Sequence, residues 1–285
     1  MRILITGGKG MLGRTLMRHW QAEHTCRVAD LPETDVLDQP ALAHCFEQFA
    51  PEVVVHCVAM TQVDACESDP LKAKRLNETA TANVAACAAA CGARLIAIST
   101  DYVFSGDEPG DRLETDPTAP KPVYGATKLA GEQAALAACP NAVIARIAWL
   151  YGAGGPSFLH TMLALAKADP TRELKVVDDQ FGNPTSTDAV ASALSAILLR
   201  PELSGVFHLT CEGTTTWHGF AKEIFRLTGY DRLRLLPCTT ADFPRPAPRP
   251  HYSSLSKRKL AAVGLPPMPL WQDALAAFLA RELAH

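Results

Sequence analysis

The sequence predicts an α/β fold: a doubly wound parallel sheet of the Rossmann kind, with a smaller C-terminal α+β portion. Three observations carry this. Apolar β-branched runs alternate with helical patterns through the first half, the signature of a parallel sheet covered on both faces. Glycines cluster between the first strand and the first helix. After Tyr151 the texture changes to loops and mixed elements.

Taken in order, strands are expected at 2–6, 25–29, 53–58, 94–98 and 143–149, and helices at 11–21, 40–49, 70–91 and 124–138. The strand at 53–58 (Val-Val-Val-His-Cys-Val) is apolar almost throughout, as a strand buried on both faces must be. Beyond the loop Gly152–Pro156, the pattern gives a helix at Phe158–Lys167, a strand at Leu174–Val177 and a helix at Asp188–Leu199. A strand at Val206–Thr210 and a helix at Trp217–Leu227 follow. Residues 243–252 hold too many prolines for a helix or a central strand. The last helix is expected at Leu270–Ala284.

Composition narrows the class. The chain has 285 residues, 48% hydrophobic and 20% charged, enough for one large or two modest domains. A net charge of −3 supplies no field for nucleic acid or a membrane surface. The strand pattern begins at Arg2, leaving no room for a signal peptide, and no apolar run reaches the roughly 18 residues of a spanning helix. Nine cysteines without a Cys-x-x-Cys suggest a reducing, cytoplasmic setting. Small buried thiols explain Cys87 and Cys91 better than a zinc site does. No metal is expected.

The stretch Thr6-Gly-Gly-Lys-Gly-Met-Leu-Gly13 follows the first strand and opens the first helix. Gly7 makes the tight turn, Gly10 admits close backbone approach to a pyrophosphate, and Gly13 permits helix–sheet packing. Asp30 ends the second strand, where an acid that binds the ribose of a dinucleotide is expected. Its carboxylate suits the free hydroxyls of NAD and repels the extra phosphate of NADP. Arg14, Arg18 and Arg27 are close enough in sequence to offset that repulsion, so NADPH and NADH both stay open.

Tyr124-Gly-Ala-Thr-Lys128 places a phenol and an ammonium on one helix face. A lysine beside a tyrosine favours the phenolate, so the phenol's pKa is expected to fall from about 10. A phenol tuned in this way can exchange a proton with an alcohol or carbonyl oxygen. Ser99-Thr-Asp101 follows the strand 94–98, at the end of the sheet where open α/β folds bind ligands. Thr100 can hydrogen-bond a substrate oxygen there and help balance the proton with Tyr124.

Glycine turn, Ser-Thr-Asp and Tyr-x-x-x-Lys, in this order, resemble the extended short-chain dehydrogenase/reductase family. The resemblance extends along nearly the whole chain through Ala59–Asp64 with Glu67, Arg146–Trp149, Asp179–Thr185, Gly213–Trp217 and Arg249–Ser253. Within the family it points to reductases of dTDP-linked sugars. It implies hydride delivery from NADPH or NADH to the C4 ketone of dTDP-4-dehydro-6-deoxy-L-sugar, giving dTDP-L-rhamnose. Tyr124 would protonate the forming alkoxide, Lys128 would hold the nicotinamide ribose, and Thr100 would tune the transfer. Gly7, Gly10, Met11, Leu12, Gly13, Asp30, Asp38, Gln39, Ala59, Met60 and Thr61 would line the cofactor together with Tyr124 and Lys128. Thr100, Asp101, Trp149 and Arg249 would touch the sugar nucleotide. Residues 1–151 would form the dinucleotide-binding domain and 152–285 mainly the substrate-binding domain, with segments around 180–190 returning to the first. The molecule is expected as a monomer or homodimer.

Several positions depart from that family's pattern. His56 stands where Asn is usual, Met60 replaces Tyr or His, and Ala65 replaces Lys. Thr15 occupies the place of a glutamate that binds magnesium between subunits in some relatives. A dehydratase on this fold would carry a second acid after Asp101, where this chain has Tyr102. An epimerase that retains its NAD, a related ketoreductase of other stereochemistry and a non-catalytic regulatory binding protein are the remaining alternatives.

Overall fold

The computed structural model describes residues 1–230 and 232–283. In chain order the elements begin β1 (Arg2–Thr6), α1 (Met11–Trp20), β2 (Thr25–Ala29), α2 (Gln39–Phe49), β3 (Val53–His56), α3 (Val63–Ser68) and α4 (Pro70–Lys74). A π-helical turn (Arg75–Thr79) leads into α5 (Ala80–Cys91), followed by β4 (Arg94–Thr100), α6 (Val123–Ala138) and β5 (Val143–Ile147). Then come β6 (Leu150–Tyr151), α7 (Phe158–Ala168), β7 (Glu173–Val177), β8 (Phe181–Gly182), β9 (Thr185–Ser186), α8 (Thr187–Leu198) and β10 (Gly205–His208). The chain continues with β11 (Thr215–Thr216), α9 (Trp217–Thr228), β12 (Arg234–Cys238), α10 (Arg258–Ala262) and α11 (Trp271–Leu283).

The main sheet has the order β10-β5-β4-β3-β1-β2, with every pairing parallel. Alternate residues of each strand feed two cores. Ile3, Ile5, Val53 and Val55 pack with Leu12 and Leu16 of α1 and with Val190 and Leu194 of α8. Leu4, Val54, Leu95 and Ile144 face the other way, against Leu42 and Phe46 of α2 and Val84 and Ala88 of α5. Both faces are therefore dry, which is why these strands read as continuous apolar runs. The strand order reverses between β1 and β3, and open α/β sheets bind ligands at such a switch point.

Beyond β5 the chain forms small two-stranded pairings, β7 with β12, β8 with β11 and β6 with β9. α8 packs on α1, and β10 is itself an outer strand of the main sheet. Among the described residues no helix is long and apolar enough to cross a membrane. The last residue of the helix expected at Leu270–Ala284 lies outside the described residues.

Three other expectations change. The strand at 53–58 ends at His56, and residues 57–62 form the loop that borders the site. The helix expected over 70–91 is interrupted by the π turn. There the Asn77 side chain leaves the helix register. It accepts from the Met60 amide (2.8 Å) and donates to the Met60 carbonyl (3.3 Å) and to Thr127 Oγ1 on α6 (3.0 Å). Gly131 lets α6 approach that turn, since a Cβ there would stand 2.3 Å from the Asn77 carbonyl. The third concerns the thiols: Cys91 is exposed and Cys87 only half-buried, because α5 turns that end towards solvent.

A buried polar chain joins these layers. His56 Nδ1 lies 2.7 Å from Thr6 Oγ1 and its Nε2 lies 3.1 Å from Thr81 Oγ1; Thr81 donates to the Asn77 carbonyl (2.8 Å). Burial drives the pKa of His56 down to about 3, and burial likewise holds His208 at about 3. The unfolded chain takes up protons at these histidines near pH 6.5, while the folded protein does not. Their contribution is therefore complete above about pH 6.5 and is lost as pH falls towards 3. His56→Asn should shrink the drop in the urea midpoint between pH 7 and pH 4. An equal drop in both proteins would show that His56 is not part of the acid response.

Candidate active site

The glycine turn sits at the C-terminal end of β1, beside the loop after β3. Gly7 has φ +69°, and a Cβ there would stand 2.9 Å from the Val58 amide nitrogen. At Gly13 a Cβ would meet the Gly7 carbonyl oxygen at 2.5 Å. Only glycine permits this turn, which leaves backbone and space open at the N-terminus of α1, the usual seat of a pyrophosphate.

A hollow of about 910 Å³ opens from the turn. It brings together Gly7, Gly10, Met11, Leu12, Gly13, Ala59, Thr61, Thr100, Asp101, Tyr124, Lys128, Trp149 and Arg249, all expected site residues. Four expected residues lie off its wall. Met60 is buried against Tyr124, its backbone held by Asn77. Asp38 caps α2 by accepting from the Ala41 amide (3.1 Å). Gln39 donates to Asn83 Oδ1 (2.8 Å). Asp30 stands behind the turn, accepting from the Lys9 amide (2.9 Å) and the Leu31 amide (2.9 Å).

The arginines expected beside Asp30 are mostly engaged elsewhere. Arg18 pairs with Asp188 on α8 (2.5 Å), and Arg27 lies over the Phe49 ring at 4.8 Å. Arg14 donates to the Lys9 carbonyl (2.7 Å) and so stays close. The neighbouring cation that spacing did not suggest is Lys9. Its Nζ reaches Glu33 at 2.7 Å and the Leu31 carbonyl, next to Asp30.

At the far end of the hollow, Tyr124 and Lys128 are both buried on α6. Lys128 Nζ donates to the Ile98 carbonyl (2.7 Å), and burial lowers its pKa to about 8. The expected lowering of Tyr124 is overturned in this state. Burial raises the phenol well above its ordinary value, outweighing the opposing effect of the neighbouring Thr100 hydroxyl. The ammonium is turned to the β4 carbonyl, so desolvation decides the sign. Thr100 Oγ1 donates to Asp101 Oδ1 (2.9 Å). Among the described residues Asp101 Oδ2 is buried without a partner, and burial raises that carboxyl to about 6.

Behind these groups lies a buried ion pair. Arg146 on β5 donates to both oxygens of Glu132 on α6 (2.9 and 2.7 Å), and Ser99 Oγ donates to Glu132 Oε1 (2.5 Å). It clamps α6 to the ends of β4 and β5.

Residue-by-residue reasoning missed several wall residues, among them Cys57, Asp64, Tyr102, Phe158 and Trp217. Asp64 and Trp217 lie inside segments singled out for family resemblance, which was the available signal. Asp64 pairs with Arg249 (2.9 Å) and accepts from the Ala247 amide (3.2 Å), tying the proline-rich segment across the opening. A second hollow of about 450 Å³ adjoins the first, lined by Lys175, Gln180, Trp217, Phe243, Arg245 and Arg249. Thr15, at the metal-binding place of some relatives, is buried and donates to Thr187 Oγ1 (2.9 Å). Among the described residues there is no cluster of three or more His, Cys, Asp or Glu placed to hold a metal ion.

A glycine cradle at a sheet switch point, opening onto a buried Tyr–Lys pair, defines a Rossmann-type nicotinamide-dependent oxidoreductase. The model of the RmlD substrate binding domain family matches residues 1–284, and the chain belongs to that family. It is 41% identical over 280 residues to a dTDP-4-dehydrorhamnose reductase of Streptomyces griseus, covering 96% of this chain and 91% of that one. It is 42% identical over 283 residues to a probable dTDP-4,6-dihydroxy-2-methyloxan-3-one 4-ketoreductase of Streptomyces antibioticus, covering 96% and 93%. The crystal structure of the Bacillus anthracis dTDP-4-dehydrorhamnose reductase in complex with NADP superposes with a TM-score of 0.95 at 33% identity, covering 98% of this chain and 99% of that one.

Proposed function

We propose that this chain reduces the C4 ketone of dTDP-4-dehydro-6-deoxy-L-sugar to dTDP-L-rhamnose, using NADPH or NADH. The single observation that carries the reading is the convergence of glycine cradle, Thr100, Tyr124 and Lys128 on one hollow. Bound at the cradle, the reduced nicotinamide supplies the hydride. Gly7, Gly10 and Gly13 would leave room for its pyrophosphate, and Asp30, beside the turn, would accept from the adenosine ribose. Tyr124 donates its phenolic proton to the oxygen of the forming alcohol, and Thr100 hydrogen-bonds the same oxygen when its hydroxyl turns from Asp101 Oδ1. Lys128 lends its positive charge to the phenolate that Tyr124 becomes once its ammonium leaves the Ile98 carbonyl, an ordering of charge that a dry site strengthens. Asp101 and Trp149 hold the sugar, and Arg249 faces the nucleotide. Residues 1–151 serve mainly the cofactor and 152–285 mainly the sugar nucleotide. We place the reaction in the cytoplasm, carried out by a monomer or homodimer.

The Streptomyces antibioticus relative supports a second reading, a 4-ketoreductase of other product stereochemistry. Incubation with the dTDP-4-keto-6-deoxy-L-lyxo sugar and NADPH, followed by NMR of the product, separates the two. A product of inverted C4 configuration would select the second reading, and no turnover would reject both.

Cofactor choice is testable at Asp30. A carboxylate beside the extra phosphate of NADPH costs about 1 kcal/mol at 4 Å in water, and Lys9 and Arg14 oppose that cost. Asp30→Ala should therefore move kcat/KM towards NADPH, and Lys9→Ala should move it towards NADH. Steady-state titrations of both cofactors on wild type and variants measure this. A preference indifferent to Asp30 would remove that residue from the ribose.

A further inference from the structure

Trp149 carries a backbone anomaly at the wall of the hollow. Its φ is +47°, a left-handed conformation that a bulky residue adopts only where its surroundings dictate it. Three contacts do so. The Trp149 carbonyl accepts from the Thr185 amide (3.2 Å). The indole lies face to face with that of Trp217, ring centroids 3.5 Å apart and planes within 5°. Gly182 closes on its edge: a Cβ there would stand 2.5 Å from Trp149 Cε2 and 2.6 Å from Nε1.

Trp217 is itself well anchored. It is the first residue of α9, and its Nε1 donates to Gln180 Oε1 (3.1 Å). Gln180 Nε2 donates in turn to Thr240 Oγ1 (3.0 Å), and Phe158 packs on Trp217 at 4.6 Å. Trp217 borders both hollows, whereas Trp149 borders only the one that contains Tyr124. Trp217 thus stands at the junction of the two hollows, stacked on a wall residue of left-handed backbone.

We propose that Trp217 is a positioning and specificity-determining residue: stacked on Trp149, it holds the wall that sets how the sugar nucleotide lies against Tyr124. The inference rests on the reaction proposed above. It makes Gly182 the second element of the same device, because the missing methyl is what lets the Trp149 indole lie flat on Trp217. Gly182 has no left-handed φ, so alanine there is compatible with the backbone and acts only as a wedge.

The test uses the full chain with Trp217→Leu, Trp217→Phe, Gly182→Ala and the Trp217→Leu/Gly182→Ala pair. Steady-state kinetics with the dTDP-4-keto sugar and NADPH are read beside NADPH affinity by fluorescence. The far-ultraviolet exciton couplet of two stacked indoles is recorded by circular dichroism. Trp217→Leu should abolish the couplet and raise KM for the sugar nucleotide about tenfold, the factor one aromatic pair can supply, with NADPH affinity unchanged. Trp217→Phe should restore most of that KM while still lacking the couplet. Gly182→Ala should raise the same KM, and the pair should be less than additive because both act through Trp149. An unaltered KM in Trp217→Leu overturns the inference, as does NADPH affinity falling in parallel. Should Trp217→Leu fail to fold, an unaltered KM in Gly182→Ala overturns it alone. A wild type that reduces no such sugar overturns the reaction itself; an active wild type with indifferent variants overturns only the role of Trp217.

Discussion

Tyr124→Phe should lower turnover by about 10²–10⁴-fold, the loss typical of a missing general acid. Cofactor affinity and stability should hardly change. The phenylalanine ring keeps the edge-to-face packing on Tyr102, whose centroid lies 5.4 Å away, and the burial in the small cluster with Met60. What disappears is a buried hydroxyl next to Thr100, where on the proposed mechanism the carbonyl oxygen collects its proton. The measurement is single-turnover reduction with cofactor and sugar nucleotide saturating, so that chemistry limits the rate. Wild-type-like turnover there would remove Tyr124 from the proton transfer and leave Lys128 without its proposed task.

The second large effect is on stability. Glu132 and Arg146 form an ion pair whose side chains are each 4% exposed, bridging α6 and β5. Removing one partner strands the other charge in a dry interior. Glu132→Leu alone should therefore destabilise the fold by about 3–5 kcal/mol. The same substitution also takes the acceptor from Ser99, one residue before Thr100. Glu132→Leu combined with Arg146→Met should recover much of the loss, because a buried pair exchanged for apolar groups is often close to neutral. Urea unfolding of both variants decides it. A single variant as stable as wild type, with an unchanged denaturant slope, would mean that water or another group compensates Arg146.

Much of the molecule was legible in the order of its residues. Alternation of apolar runs with helical spacing is enough to specify a parallel sheet, since a strand buried on both faces has no polar side to show. The glycines at 7, 10 and 13 announce a turn because no other residue fits the contacts now seen at Gly7 and Gly13. Tyr124 and Lys128 share a face by helix geometry alone. Each of these follows from local rules of spacing and backbone conformation.

The remainder depended on which distant segments meet. The pKa of Tyr124 rises instead of falling because the folded chain buries the phenol and turns the Lys128 ammonium to the Ile98 carbonyl, a contact 30 residues apart in sequence. Arg18 and Arg27 looked available to Asp30 only until α8 supplied Asp188 and α2 supplied Phe49. Lys9 emerged as the neighbouring cation through a turn that folds it back over Asp30. The π turn at 75–79 arises because Asn77 finds better partners on Met60 and Thr127 than its own helix offers. The Trp149–Trp217 stack joins residues 68 positions apart, a separation that no periodicity encodes. Sequence by itself determined most of the elements and the glycine turn, because local conformation and periodic burial decide those. Only the tertiary structure decided protonation, charge pairing and the aromatic wall, because each is set by desolvation and contact between segments the chain order keeps apart.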